Sequence, residues 1–161
     1  MNAADESVAL VAAYRAADYW VRLAGGRRVA LRVGAACPHE IRELLSRDDA
    51  AIGGLLTAWN PFSRQTPRAT NRRRQRELLG RLRAAGARVF VGAGTGTDWR
   101  EPGLAAFGLR MDTLDALARD FGQNAILTFC AAGPVRLRVY RDDWRGAISC
   151  DDADLAPALV R

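Results

Sequence analysis

From residue 50 onward the chain reads strand, helix, strand, strand, helix, strand, an order that predicts an α+β domain built on a ferredoxin-like βαββαβ sandwich. Three observations support it. Leu78, Leu79, Leu82 and Ala85, and then Leu114, Leu117, Ala118 and Phe121, recur at helical spacing. Each of these stripes closes on a glycine, Gly86 or Gly122, just ahead of an apolar strand. The strands at 88–92 and 104–110 follow one another too closely for a crossover helix, which favours antiparallel neighbours over a doubly wound parallel sheet. With 161 residues the chain suits a single domain, 1–161.

The elements follow in order. Leu10, Tyr14, Ala17 and Val21 share one helical face, so residues 6–23 read as a helix that Gly25 and Gly26 stop. Val29, Leu31 and Val33 alternate as a half-buried strand. Pro38 suits the first turn of a short helix reaching about Ser46. Residues 50–59 form an apolar strand that Asn60-Pro61 ends, and Thr66-Pro67 opens the helix that closes at Gly86. The glycine-rich run 92–97 reads as a flexible connection between strands. It lacks the following helix that a phosphate-cradling glycine loop requires. Asp112 caps the helix ending at Gly122, residues 125–130 form a buried strand, and Val135, Leu137 and Val139 alternate in an added C-terminal one. The expected core includes Leu55, Leu78, Leu82, Val89, Val91, Leu117, Phe121, Ile126 and Phe129. Residues 142–161 read as an acidic, partly ordered tail.

Composition narrows the function classes. No charge-free stretch approaches the roughly 20 apolar residues that span a bilayer, and the start carries no signal-type apolar run, so a soluble, cytoplasmic, bacterial-type protein with no membrane partner is expected. Cys37, Cys130 and Cys150 are an odd, widely spaced set that suits a reducing compartment; they offer no paired metal-ligand spacing, so neither a metal nor a cofactor is expected. The net charge is +6, all 24 basic residues are Arg, and the chain is electrically lopsided. Residues 64–83 hold eight Arg against Glu77, and residues 142–154 hold five Asp against Arg145.

Three strings stand out: Thr57-Ala58-Trp59-Asn60-Pro61-Phe62-Ser63, Trp99-Arg100-Glu101-Pro102, and Phe121-Gly122-Gln123-Asn124-Ala125. Together, with Asn71 at the opening of the next helix, they make residues 14–140 resemble a bacterial family known as domain of unknown function 3293. The resemblance implies which residues matter and names no chemistry.

Physically, the strings place polar side chains at strand ends and at a helix start. Asn71 and Gln75 continue, at i and i+4, the stripe that becomes Leu78 and Leu82, and a core-facing stripe that turns polar needs partners. One reading is a shared pocket for a small polar, nucleotide-like ligand, lined by Asn60, Ser63, Asn71, Glu101, Gln123 and Asn124 with Trp59 and Trp99 as walls. At least four of those six polar residues are expected around it, and Glu101 is the one candidate general acid or base if the site is catalytic. The plainer reading is turn and cap chemistry. A second class of function is anion binding by Arg68, Arg72, Arg73 and Arg76, which crowd the first turns of a helix where the dipole disfavours cations. Such a face would engage nucleic acid or an acidic protein, or dock the Asp-rich tail; without interleaved aromatics it lacks a stacking platform, which leaves nucleic acid the secondary expectation. Cys37-Pro38-His39 is read as an incidental cap rather than a nucleophile and its base, because adjacent residues on a helical turn do not face each other.

Overall fold

The computed structural model describes residues 3–148 and 151–158, so Cys150 and part of the acidic segment lie outside the described residues. The elements run α1 (Ala3–Ala16), β1 (Asp18–Arg22), β2 (Arg28–Leu31), α2 (His39–Arg47), β3 (Gly53–Leu56), α3 (Arg68–Ala84), β4 (Arg88–Thr95), β5 (Arg100–Phe107), α4 (Met111–Asp120), β6 (Ala125–Phe129), β7 (Arg136–Val139) and β8 (Ala153–Leu155). Short 3₁₀ turns at Pro61–Ser63 and Asp142–Ala147 join them. The fold is mixed α+β. Among the described residues eight strands form one sheet in the order β2-β1-β4-β5-β3-β6-β7-β8, antiparallel except for the parallel pair β7 and β8. Among the described residues no helix is long and apolar enough to cross a membrane.

Helices lie on both faces of the sheet, and strand alternation decides which residues meet them. Leu55, Ala105, Phe107, Leu127 and Phe129 point to the face that packs with Val11 of α1, with Ile41, Leu44 and Leu45 of α2, and with Trp144. Their neighbours Leu56, Leu104, Ala106 and Ile126 point to the other face, against Leu78 and Leu82 of α3 and Leu114, Leu117 and Phe121 of α4. Of the expected core, Val89 is only partly buried and Val91 is 54% exposed, because α3 covers the sheet as far as Val89 and leaves the next residue on that face bare.

Three expectations are corrected. The helix read over 6–23 ends at Ala16, and Asp18–Arg22 is a strand paired with both β2 and β4. Val21 fits the helical spacing of Leu10, Tyr14 and Ala17, but Tyr19 and Val21 also alternate, and the two open edges beside them select the strand. The glycine-rich run is strand rather than loop: β4 continues through Thr95, and a short turn closed by Gly96 N–H donating to the Trp99 carbonyl at 2.9 Å leads into β5. Glu101 therefore lies within β5, opposite Gly94, instead of in a connecting loop.

The described part of the acidic segment packs against the body. Trp144 is fully buried with its ring edge-on to Tyr14 at 5.6 Å, Arg15 grips the Asp152 carboxylate with two hydrogen bonds of 2.9 and 2.8 Å, and β8 extends the sheet beside β7. Asp154 pairs with Arg136 and Arg138, and Arg138 also holds the buried Asp115, which accepts from the Tyr140 hydroxyl. Asp152 thus pairs with an arginine of α1, Asp154 with two arginines of β7, and Asp142 and Asp143 with Arg145 and Arg141 beside them.

Candidate functional site

A row of residues directly opposite one another across three strands builds the floor of a cavity. Tyr19 of β1 faces Gly94 of β4, and Gly94 faces Glu101 of β5, all on the α1 side of the sheet. The glycine between them leaves a gap. A Cβ there would stand 2.9 Å from the Tyr19 ring and 3.2 Å from Trp99, so the site tolerates only the residue without one. The resulting cavity, about 450 Å³, has an apolar floor that includes Leu55, Ala125 and Leu127. Tyr14 and Trp99 wall it, their rings tilted against each other with centroids 6.4 Å apart.

The polar end of the cavity is organised by the segment Trp59 to Ser63. Asn60, Phe62 and Ser63 all have positive φ, a conformation that a bulky residue such as Phe62 adopts at a cost of about 1–3 kcal/mol. Three contacts over-determine it. Phe62 N–H donates to the Gly122 carbonyl at 2.6 Å, Asn124 Nδ2 donates to Ser63 Oγ at 2.8 Å, and Gln123 Nε2 reaches the Trp59 carbonyl at 3.4 Å. Gly122, at φ +67°, has no room for a side chain: a Cβ would come within 2.9 Å of Pro61. Arg74 ties the two strings from behind by donating to the carbonyls of Ala58 and Phe121.

Asn60 turns its amide to both sides. Its Nδ2 donates to Glu101 Oε1 at 2.8 Å, while its Oδ1 accepts from Asn71 Nδ2 at 2.9 Å and from Thr66 N–H at 3.1 Å. Buried Asn71 returns its Oδ1 to the Asn60 N–H at 3.0 Å and gives its amide also to the Thr66 carbonyl. Burial raises the Glu101 pKa above the ordinary carboxylate value, against the lowering effect of the Asn60 bond. No arginine or histidine pairs with Glu101 among the described residues. Burial also raises Tyr14, whose hydroxyl shares a 3.4 Å contact with Ser63 Oγ; the Ser63 bond opposes that rise and the nearby Glu101 adds to it. The side-chain oxygen of buried Asn124 has no hydrogen-bond partner among the described residues.

Asn60, Ser63, Glu101 and Gln123 line the cavity together with Trp99. Asn71 and Asn124 stand behind it, each hydrogen-bonded to a lining residue. Trp59 lies outside, in a groove with Arg68, Arg72 and Arg76, and Arg73 is exposed on α3 and does not line that groove. The lining residues that the sequence reading missed include Tyr14, Tyr19, Gln65 and Arg100. Tyr14 carried a signal, being a hydroxyl set in an otherwise aliphatic helical face. Gln75, foreseen as needing partners, has them: its Oε1 accepts from Ala58 N–H at 2.8 Å and its Nε2 donates to the Pro102 carbonyl.

All three strings therefore meet at one end of the sheet, and comparison with known proteins matches that region. Residues 56–126 match the family model described as protein of unknown function, DUF3293. The DUF3293 match begins beside the Trp59 segment and ends just after Asn124, so it encloses every string that builds the polar end. Tyr14 and Tyr19 lie outside it. No curated protein and no solved structure matches the chain.

The thiol near His39 is separate from this cavity. Cys37 is buried, and burial pushes its pKa up to about 11, with Cys130 adding to the rise and Arg42 opposing it. His39 turns to Glu43 on the helix surface at 3.5 Å. Iodoacetamide at neutral pH should label Cys37 in the native protein at least about tenfold more slowly than in denaturant, since the thiolate is the reactive form; equal rates would make it an accessible, activated thiol.

Proposed function

We propose that this protein is a ferredoxin-like domain that binds a small planar ligand through N–H donors offered to Glu101. The strand order β4-β5-β3-β6, with antiparallel neighbours and α3 and α4 together on one face, supports the ferredoxin-like reading. The binding reading rests on one observation: a carboxylate without a cationic partner among the described residues is held in place by an amide at the end of an apolar, aromatic-walled cavity. Burying a carboxylate is costly unless something donates to it. A flat nitrogen heterocycle laid against the walls that Tyr14 and Trp99 form supplies the donors and fills the apolar space, and guanine is a common base with two adjacent N–H groups on one edge. If the site is catalytic, Glu101 with its raised pKa is the group placed to act as a general acid or base.

Guanosine, followed by calorimetry and Trp fluorescence, tests the reading. Glu101→Gln should weaken binding about tenfold or more, because a hydrogen bond to an ionised acceptor is replaced by an amide that can face the ligand's donors with its own. The sign with pH is also fixed. A carboxyl whose folded pKa lies above its unfolded one costs stability as pH rises through the interval between the two, and costs nothing below it. The ligand-free Glu101→Gln protein should thus be the more stable one at neutral pH, and its advantage should vanish in acid. Equal guanosine affinity for both proteins at neutral pH, or no binding of guanosine, hypoxanthine or a pterin to the native protein, overturns the reading.

A second reading follows from the exposed Arg68, Arg72 and Arg76, which line the groove beside Trp59 and have no ion-pair partner among the described residues. Binding of nucleic acid or an acidic protein there would fall steeply with ionic strength, unlike insertion of a neutral base into the cavity.

A further inference from the structure

The Glu101 cavity does not end at Asn60. A second, more open cleft of about 410 Å³ adjoins it, and Asn60, Gln65 and Arg100 line both. The two differ in chemistry. The inner one has an apolar floor and Glu101 at its polar end; the outer one is flanked by Arg68 and Arg100. Both arginines are exposed, and neither makes an ion pair among the described residues. Elsewhere the arginines of this chain find carboxylates readily, as Arg15, Arg27, Arg81 and Arg88 do. Asp98, which lines the inner cavity, makes no ion pair with either guanidinium among the described residues. The first turn of α3 carries Arg68 and no acid, a placement that an anion would compensate.

We propose that the two cavities form one two-part site for a 5′-phosphorylated nucleoside, with the base in the inner cavity and the phosphate between Arg68 and Arg100. This deepens the Glu101 reading and rests on it. The inner volume falls in the range that small-molecule sites occupy and accommodates a base with its sugar. A guanidinium is a planar fork suited to two phosphate oxygens, and two forks on one rim select an anion of that shape. Asn60 stands at the junction, holding Glu101 on one side and lining the basic cleft on the other, so it orders both halves.

Calorimetry with guanosine, guanosine 5′-monophosphate and inorganic phosphate tests this on the full chain. At low salt the monophosphate should bind about tenfold or more tightly than guanosine, a gain of the size expected for charge-assisted hydrogen bonds, and the gain should shrink as salt screens the exposed charges. In the double variant Arg68→Ala, Arg100→Ala the ratio of the two affinities should fall close to one. The ratio is insensitive to any general loss of folding, which a melting curve checks separately. A 5′-phosphorylated dinucleotide beginning with guanosine distinguishes a free nucleotide from a strand end, since only the second requires that a 3′ extension be accepted; either result supports the two-part site. Guanosine binding with no gain from the phosphate overturns this inference and leaves the Glu101 reading standing. A gain that survives in the double variant overturns it as well. Failure of every nucleoside and nucleotide to bind overturns both.

Discussion

Trp144→Ala is expected to remove about 3–5 kcal/mol of folding stability, the cost of emptying a large aromatic site that cannot collapse. For a chain of this size that is a fall in melting temperature of roughly 10 °C. Trp144 is fully buried, and its ring meets Tyr14 edge-on at 5.6 Å while the Arg141 guanidinium lies over it at 5.7 Å. Arg15 adds two clasps beside it, to the Ala147 carbonyl and to Asp152, so the indole is the apolar half of the seam that fastens the 3₁₀ turn to α1. The indole N–H is buried without a hydrogen-bond partner among the described residues, so it contributes a cost rather than a gain. Trp144→Phe, which removes that N–H with part of the volume, should therefore cost only about 1–2 kcal/mol. Tyr14 is the link to the cavity, since it packs on Trp144 and on Trp99. In Trp144→Ala guanosine affinity should drop along with stability. Urea denaturation gives the stability difference, and a loss below about 1 kcal/mol would mean that the segment from Asp142 to Ala147 is a loosely attached tail after all.

The segments that the sequence made legible are those whose pattern has one physical interpretation. Leu78, Leu82, Leu114 and Leu117 fit only a helical stripe, and Ala125 to Phe129, bounded by Gly122 and Gly133, fits only a buried strand. Where two periods coincide the sequence is ambiguous. Val21 serves a helix through Ala17 and a strand through Tyr19, and the pairing that resolves it comes from β4, far along the chain. Gly92 to Thr95 read as loop because glycine has little intrinsic preference for strand; the strand is dictated by pairing with β1 and β5, and the space a side chain would take is filled by the Trp20 carbonyl and Leu55 beside Gly92 and by the Tyr19 and Trp99 rings beside Gly94. Trp144 read as part of a polar tail because one aromatic among aspartates gives no periodicity, though it is a core residue. The polar constellation was legible through partner demand. Asn71 and Gln75 interrupt an apolar stripe, which demands partners, and each finds them in the strings. The tyrosine walls were less so, because the hydroxyl that marks Tyr14 on its aliphatic stripe does not tell whether its ring closes a core or borders a cavity.

Asn71→Ala should combine a stability loss of about 3 kcal/mol with the loss of guanosine binding, although Asn71 does not line the Glu101 cavity. The stability term comes from three hydrogen bonds removed at a position only 2% exposed: Asn60 N–H loses its acceptor, and Asn60 Oδ1 and the Thr66 carbonyl lose a donor. Backbone groups left dry in this way cost more than the bonds contribute on average. The binding term comes from Asn60, whose left-handed backbone is held by those bonds and whose Nδ2 fixes Glu101. Asn71→Asp separates the two contributions. It keeps an acceptor for Asn60 N–H but sets a carboxylate against Asn60 Oδ1 and the Thr66 carbonyl, so Asn60 should rotate its amide and turn an oxygen, in place of its N–H, toward Glu101. An amide oxygen facing the Glu101 carboxylate in place of a donor would raise the Glu101 pKa further, and guanosine affinity should then recover only at higher pH than in the native protein. Asn60→Gly tests the same chain from the other end: it accommodates the positive φ without strain and still abolishes the Glu101 contact, so stability should fall less than in Asn71→Ala while binding falls as far. Melting curves and guanosine titrations across pH decide it, and an Asn71→Ala protein that melts normally and binds normally would reduce the Asn60–Asn71 pair to decoration on a turn.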